Sequence, residues 1–251
     1  MPSVDFRTPR IYLDAPLTGG AEVAFDHDQA NYLRNVLRLG QGDAVLLFNG
    51  RDGEWQARLA LTGKRALSAT VGERLRQQPE PLDLHFLFAP LKHARLDYLV
   101  QKAVEMGASR LQPVITRHTQ VARVNTERMR ANAIEAAQQC GVLTLPEIKE
   151  PVAFKTIAAS DDAERLLVFC DEDAEVTDPV AALAAARPIE RGLPPLAVLI
   201  GPEGGFAEDE REALRKRPNV VRIALGPRIL RADTAAVAAL ALVQAVLGDW
   251  K

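Results

Sequence analysis

The chain has 251 residues, of which 47% are hydrophobic and 25% are charged, and its formal net charge is −2 at pH 7. This composition is typical of a chain that buries a sizeable core in one or two domains, and it excludes disordered and fibrous proteins. Residues 1–7 lack the charged head and apolar run of a secretion signal. No stretch reaches the roughly 18 apolar residues that a membrane span needs. We therefore expect a cytoplasmic protein without a membrane segment.

The cysteines and histidines are few and scattered along the chain. They are Cys140 and Cys170, and His27, His85, His93 and His118. Their spacing matches neither a disulfide framework nor the ligand pattern of a metal site. We expect no structural disulfide and no metal.

The first third of the chain predicts a small β domain. Short β-like runs at 21–25, 44–48, 55–61 and 67–71 are separated by turn signals, and 28–37 predicts one helix. The sequence Asn-Gly-Arg-Asp-Gly at 49–53 predicts a hairpin loop. Four or five short strands with one helix indicate a small β-barrel, a shape that often carries RNA-binding modules.

A break in this pattern lies at 77–81, where Gln-Gln-Pro-Glu-Pro combines two prolines with polar neighbours. Such segments are typical of domain junctions. We predict a first domain at 1–76, a linker at 77–81 and a second domain at 82–251.

Strands and helices alternate after the junction, which predicts an α/β fold with a mainly parallel sheet. The predicted strands are 84–88, 111–115, 166–169, 196–200 and 220–225, and the predicted helices are 94–106, 125–139, 208–217 and 234–247. The last helix is apolar on nearly every side, so we expect it to be covered, and a subunit interface is one way to cover it.

Two similar Gly-Pro turns carry the clearest signal for a ligand site. Residues 201–205 read Gly-Pro-Glu-Gly-Gly between a buried strand and a helix, and Gly226-Pro227 repeats this arrangement. Glycines permit tight turns and close approach of a ligand to the backbone, although a structural loop explains many such turns. Neither common nucleotide fingerprint fits, because G-x-G-x-x-G is absent and Arg65 follows Gly63-Lys64.

Six segments together resemble one known family. They are Arg-Thr-Pro-Arg-Ile-Tyr at 7–12, Tyr-Leu-Arg-Asn-Val-Leu-Arg-Leu at 32–39, Gln-Lys-Ala-Val-Glu-Met-Gly at 101–107, Glu-Ala-Ala-Gln-Gln-Cys at 135–140, Gly-Pro-Glu-Gly-Gly at 201–205 and Leu-Gly-Pro-Arg-Ile-Leu-Arg-Ala-Asp-Thr-Ala at 225–235. The chain thereby resembles the ribosomal RNA small-subunit methyltransferase E family of the SPOUT superfamily.

This resemblance implies a fold, a reaction and partners. The expected fold is an N-terminal PUA-like β-barrel followed by an α/β domain whose mainly parallel sheet contains a C-terminal trefoil knot. The expected reaction is transfer of a methyl group from S-adenosylmethionine to N3 of one uridine in 16S rRNA, either free or in the small ribosomal subunit. A homodimer is expected.

The chain departs from the family pattern at two positions. The family usually has the motif Arg-x-Glu-Thr, and this chain has Arg-Ala-Asp-Thr at 231–234. Asp233 keeps the negative charge of the glutamate, and we expect it to cap a helix. The family also commonly has an arginine where Val142 follows Gly141. If that arginine contacts RNA in relatives, another basic residue such as Arg117 or Arg123 must do so here.

The resemblance assigns candidate roles to three groups of residues. Cofactor contact, mostly through the backbone, is expected for Phe169, Leu199, Ile200, Gly201, Gly205, Leu225, Gly226, Ile229 and Leu230, with core packing as the alternative for the leucines. RNA contact is expected for Arg7, Arg10, Arg34, Arg38, Arg117 and Arg123. A guanidinium beside the uracil carbonyls would stabilise the anion that forms when N3 loses its proton. Arg231 is the first candidate for that role, Arg228 the second and Arg10 the third, while an arginine that merely pairs near a helix start is the alternative.

Two other functions are compatible with parts of the sequence. One is a non-catalytic RNA-binding or ribosome-assembly factor. The other is a conventional doubly wound methyltransferase that uses the acidic run at 171–173 for a ribose, although the glycine motif expected near its first strand is missing.

Overall fold

The computed structural model describes residues 7–61, 66–121, 123–175, 178–186 and 193–250. Predictions that concern residues 1–6 and the Gly63-Lys64 pair lie outside these ranges. The chain divides into two compact units, one of Met1–Glu80 with Ala137–Leu145 and one of Pro81–Ala136 with Pro146–Lys251. The domain ranges 1–76 and 82–251 stay predictions.

The first unit contains a five-stranded sheet. Its strands are β1 (Arg10–Tyr12), β2 (Glu22–Ala24), β3 (Ala44–Phe48), β4 (Glu54–Leu61) and β5 (Leu67–Arg76), in the order β1-β3-β4-β5-β2. β1 pairs with β3 in parallel, and the other pairings are antiparallel. The four strands predicted here are confirmed, whereas β1 is too short to give a periodic pattern. Closure of this sheet into a barrel stays a prediction.

The predicted hairpin at 49–53 is confirmed, because β3 and β4 pair across it. The side-chain oxygen of Asn49 accepts hydrogen bonds from the backbone N–H groups of Arg51 and Asp52, at 3.0 and 2.8 Å. This arrangement is an Asx turn, which Asn forms readily. At Gly53 (φ +87°) a Cβ atom would lie 2.3 Å from the carbonyl oxygen of Arg76, so only glycine fits.

Alternate residues of the strands build the core of the first unit. Val45 and Leu47 of β3, and Leu59 of β4, are buried with the other inward-facing residues. This alternation follows from the period of two along a β-strand. A helix, α1 (His27–Asn31), begins at a capping box between Asp26 and Gln29 and continues into a π-helical turn (Tyr32–Val36).

The second unit contains a sheet in which every pairing between the described strands is parallel. Its strands are β6 (Leu84–Phe88), β7 (Arg110–Ile115), β8 (Glu147–Ile148), β9 (Val152–Ala153), β10 (Leu166–Cys170), β11 (Leu196–Ile200) and β12 (Val220–Ile223). Their order is β12-β10-β11-β6-β7-β8, with β9 beside β7. β10 and β11 are buried along their whole length, as expected for parallel strands with both faces covered. The predicted α/β fold with a mainly parallel sheet is confirmed.

Helices connect these strands. They are α2 (His93–Glu105), α3 (Thr126–Cys140), α4 (Phe154–Ala158), α5 (Pro179–Ala185), α6 (Glu208–Arg215) and α7 (Ala232–Val246). The four longer helices, α2, α3, α6 and α7, match the predictions closely. The short elements β8, β9, α4 and α5 were not predicted, since none is long enough to show a period.

The apolar helix α7 is covered largely within its own unit. It contacts α2, α5 and β11, and Ala236, Leu240 and Val243 are buried there. Leu242 and Val246 are only half-buried. Its composition therefore has an explanation inside one chain, and a role in a subunit interface stays a proposal. Among the described residues, no helix is both long and apolar enough to cross a membrane.

Candidate active site

A cavity of about 620 Å³ opens at the carboxyl ends of β10, β11 and β12. These strands are neighbours and parallel, so the segments that follow them meet at one edge of the sheet. Residues 170–172, 200–205 and 224–232, together with Ala235, line the cavity. Its volume falls within the roughly 300–1,000 Å³ of small-molecule sites.

The cavity brings together most of the predicted cofactor residues. Ile200, Gly201, Gly205, Leu225, Gly226, Ile229 and Leu230 line it, and so do Arg228 and Arg231. Phe169 and Leu199 do not. Both are completely buried, and they pack in a core cluster one residue before the strands end. Both residues therefore pack in the core, which was the alternative that the sequence left open for Leu199.

The sequence did not single out the segment 170–172 as part of this cavity. Finding it requires the sheet order, which places β10 beside β11, and periodicity does not give sheet order. Burial, and then the charge of Asp171, raise the pKa of the Cys170 thiol to about 12. Cys170 therefore contributes a neutral thiol to the cavity wall.

The first glycine turn is shaped by contacts within the chain. Gly205 (φ +66°) donates its N–H to the carbonyl of Pro202 at 3.0 Å. At Gly201 a Cβ atom would lie 2.6 Å from a ring carbon of Phe206. Phe206 in turn packs edge-on against Phe169, with ring centroids 4.9 Å apart. We expected a glycine at position 201 because it lets a ligand approach the backbone. In the structure, the contact with Phe206 by itself requires a residue without a side chain.

His118, which the sequence did not single out for this site, contacts the first glycine turn from another segment of the chain. Its Nδ1 is 3.0 Å from the carbonyl oxygen of Gly204 and 3.2 Å from that of Gly205. Because carbonyls only accept, Nδ1 carries the proton and donates it. The buried Glu210 joins the same two segments, since its carboxylate accepts from the backbone N–H groups of Arg117 (2.9 Å) and Ala207 (3.0 Å).

A buried carboxylate, Asp171, connects the end of β10 to two other elements. It accepts hydrogen bonds from Nε of Arg222 on β12 at 2.7 Å and from Nε of Arg211 on α6 at 3.0 Å. Arg211 also pairs with Glu172 and Asp173. A buried carboxylate is tolerated only when it is paired in this way. The acidic run at 171–173 is thus engaged by arginines, which argues against its use as a ribose acceptor.

The second turn is more exposed than the first. Gly226 has φ +97°, and a Cβ atom there would meet nothing within 4 Å. Ile229 is 98% exposed, and Arg228 and Arg231 are exposed as well. Among the described residues, no hydrogen bond or ion pair holds either guanidinium. Arg231 is the N-cap residue of α7, but its side chain does not cap the helix.

Asp233 does not cap a helix, contrary to our expectation, because α7 begins at Ala232 and places Asp233 in its first turn. Its carboxylate accepts from Nε of Arg95 at 3.0 Å and from a terminal nitrogen of Arg95 at 3.3 Å. The other terminal nitrogen of Arg95 donates to Glu203 at 2.7 Å. The hydrogen bond from Arg95 holds the pKa of Asp233 below its ordinary value.

Arg10, the third catalytic candidate, is buried in the first unit. Its Nε lies 2.5 Å from Glu54, whose carboxylate is shared with Arg76. Burial raises the pKa of Glu54, but the hydrogen bonds from Arg76 and Arg10 outweigh it, so the pKa is lowered overall. Burial and this pairing keep the guanidinium of Arg10 away from the surface, so we do not propose it as a catalytic group.

The other predicted RNA contacts are distributed over both units. Arg7 and Arg38 in the first unit are exposed, and Arg34 is half-buried. In the second unit, the exposed Arg117 pairs with Asp209 at 2.6 Å. Arg123 is exposed, and none of the described residues binds its guanidinium.

Models of known families match both parts of the chain. The model of an RNA methyltransferase domain matches residues 78–244, and that of an RNA methyltransferase PUA domain matches residues 25–72.

Individual proteins match over nearly the full length. The ribosomal RNA small subunit methyltransferase E of Rickettsia conorii is 32% identical over 237 residues, which cover 94% of either chain. The structure of the Neisseria gonorrhoeae protein of the same name, bound to S-adenosyl methionine, is 26% identical with a TM-score of 0.85, and the match covers 98% of this chain and 100% of that one. A Legionella pneumophila protein solved with bound SAM is 28% identical with a TM-score of 0.80, over 95% of this chain and 98% of that one. These matches show that the chain belongs to the ribosomal RNA small subunit methyltransferase E family of RNA methyltransferases.

Proposed function

We propose that this protein transfers a methyl group from S-adenosylmethionine to N3 of one uridine in the 16S rRNA of the small ribosomal subunit. The observation that carries the proposal is the cavity at the ends of β10, β11 and β12, which is lined by Arg228 and Arg231, whose guanidinium groups none of the described residues binds. The names of the relatives support the rRNA substrate, and two structural neighbours contain the methyl donor. The choice of N3 rests on the family resemblance.

The residues around the cavity fit S-adenosylmethionine. The two glycine turns expose backbone groups, and Ile200, Leu225 and Leu230 supply apolar surface. The cavity is large enough for a nucleoside with a short chain attached. We assign donor binding to the backbone of residues 200–205 and 225–230.

The donor supplies a methyl group on a positively charged sulfur, which needs no further activation. The chain must therefore orient N3 of the uracil and favour loss of its proton. The guanidinium of Arg231 carries a positive charge and can donate to a uracil carbonyl oxygen, which shares the negative charge of the N3 anion, so it would stabilise that anion and leave N3 open to the methyl group. Arg228 is the alternative donor.

Recognition of the RNA is assigned to exposed and half-buried arginines of both units. Arg123 and Arg117 of the second unit would contact phosphates, and so would Arg7, Arg34 and Arg38 of the first unit. Contacts of this kind to phosphates fix the position of an RNA without reading its sequence.

The architectural expectations from the resemblance belong to this proposal too. They are closure of the first sheet into a barrel, a trefoil knot in the second unit and a homodimer. A ribosomal substrate also implies that the protein acts in the cytoplasm.

Mass spectrometry of rRNA tests the proposed reaction directly. Small subunits and free 16S rRNA from a strain that lacks the enzyme are incubated with the protein and isotope-labelled S-adenosylmethionine, and the modified nucleosides are mapped. We expect one labelled N3-methyluridine. Label on another base or atom would contradict the specificity. A folded protein that fails to bind the donor in calorimetry would instead support a non-catalytic assembly factor.

A further inference from the structure

Arg95 links the first glycine turn to the start of α7, where the second turn ends, without lining the cavity. Arg95 lies in the first turn of α2, and its side chain is about two-thirds buried, at 32% exposed. It binds both oxygens of Asp233 and one oxygen of Glu203. All three of these hydrogen bonds are 2.7–3.3 Å long.

The two acids belong to different segments of the cavity. Glu203 is part of the first glycine turn and lines the cavity. Asp233 lies two residues after Arg231, at the point where the second turn enters α7. One guanidinium therefore bridges the first glycine turn and the segment that carries the proposed catalytic arginine.

The negative charges of Glu203 and Asp233 favour a cation that is shared between them. Glu203 and Asp233 would repel each other if the cation were absent, so Arg95 offsets two negative charges near one another. The hydrogen bond to Asp233 is the main reason that the pKa of Arg95 is raised. Only a planar guanidinium can hold one carboxylate with two nitrogens and a second carboxylate with the third.

We propose that Arg95 is a positioning residue that sets the spacing of the two turns and so places Arg231 relative to the cavity. This inference rests on the proposed function, because it concerns the geometry of that reaction. A misplacement of about 1 Å can cost roughly 100-fold in rate, so loss of a bridge between two turns has a measurable effect.

The test compares Arg95→Met, which keeps an unbranched apolar side chain and removes the bridge, with Arg95→Lys. We expect Arg95→Met to reduce the methyl-transfer rate at saturating donor and RNA by roughly 10- to 100-fold, with RNA affinity unchanged. Arg95→Lys should recover part of the rate, since an ammonium keeps the charge and loses the fork. Hydrogen exchange should become faster in residues 201–205 and 225–231 of Arg95→Met.

Arg165 offers a matched control. It also bridges two acids, Asp83 and Asp162, but it lies at the opposite end of β10 from the cavity. Arg165→Met should leave the transfer rate and the exchange of both turns unchanged. Thermal denaturation of every variant identifies any that fails to fold, and Asp233→Asn provides a milder break of the same bridge.

A double-mutant cycle completes the test. If Arg95 acts through Asp233, adding Asp233→Asn to Arg95→Met should cost little beyond the single change. A wild-type rate in Arg95→Met, or exchange in the two turns that matches the Arg165→Met control, would overturn the inference. A wild-type protein that neither binds the donor nor transfers methyl would overturn the proposed function instead, and the exchange measurement would still decide whether the bridge exists.

Discussion

The arginines close to the cavity differ in their partners. Arg211 and Arg222 are held by the buried carboxylate of Asp171. Arg228 and Arg231 are exposed, and no described residue binds their guanidinium groups. An arginine already bound to a buried acid has fewer donors left for a substrate, so the free pair is the better source of a catalytic group.

Replacing Arg231 separates catalysis from binding. Arg231→Ala should lower the single-turnover rate at saturating donor and RNA by roughly 100-fold, or about 3 kcal/mol, because its charge matters most as N3 becomes negative. Lysine at this position should restore only part of the rate. Arg123→Ala is the matched control and should weaken RNA affinity and its salt dependence while the saturated rate survives. If Arg231→Ala reacts at the wild-type rate, the role passes to Arg228.

His85 on β6 gives the second unit a pH-dependent stability. Burial, followed by the charges of Arg165 and Arg110, lowers the pKa of His85 from 6.5 to about 4. Between these values the unfolded chain binds a proton that the folded protein does not, so stability decreases as the pH falls from 6.5 to about 4. At about 1.36 kcal/mol per pKa unit, the loss is on the order of 3 kcal/mol.

Urea denaturation at several pH values measures this dependence. Carboxylates titrate in part of the same range, so the comparison is with His85→Gln, which removes the imidazole alone. The free energy of unfolding of the variant should change less over this range. An identical pH dependence in both proteins would contradict the assignment.

At the scale of elements, the two glycine turns should respond differently when alanine replaces the glycine and adds a Cβ atom. Gly226→Ala places a residue at φ +97°, which costs roughly 1–2 kcal/mol of local strain, but its Cβ meets no neighbour. We expect weaker donor binding and a decrease of only a few degrees in the melting temperature. Gly201→Ala should lower the melting temperature more strongly, because its Cβ would clash with Phe206. Calorimetric titration and thermal denaturation distinguish the two, and normal donor affinity in Gly226→Ala would move the site.

The elements that the sequence predicts are those with a clear period or a strong turn signal. β3, β10 and β11 coincide with apolar runs, and the hairpin at 49–53 has the glycines that its turn requires. β1 has three residues and is recognised only through its pairing with β3. Short elements depend on tertiary contacts, which a local pattern does not contain.

The candidate site was predictable in the same partial way. The turns around Gly201 and Gly226 follow predicted strands, so their role could be inferred along the chain. The contributions of Asp171, His118 and Arg95 could not, because each depends on which strands and helices are neighbours in space. Such partners are far apart in the sequence, so a local sequence pattern does not reveal their contacts.

For the whole molecule, substitutions on α7 test the proposed homodimer. Leu242 and Val246 are half-buried within one chain, so glutamate at both positions should prevent α7 from packing against a second copy. We expect monomers or insoluble protein by light scattering coupled to size exclusion. Ala245→Glu, at an exposed position of the same helix, serves as the control for added charge. A soluble double variant that stays dimeric would place the interface elsewhere.

The pairing of β6 with β11 also determines when the cavity can exist during synthesis. Leu84 pairs with Leu196, and the cavity wall includes Ala235. A ribosome releases the chain from its amino end, so the central sheet cannot close until most of the protein has emerged. Pairings between such distant residues also form slowly. The proposed donor pocket is therefore among the last parts of the molecule to assemble, and a nascent chain that stalls before Ala235 has no complete pocket.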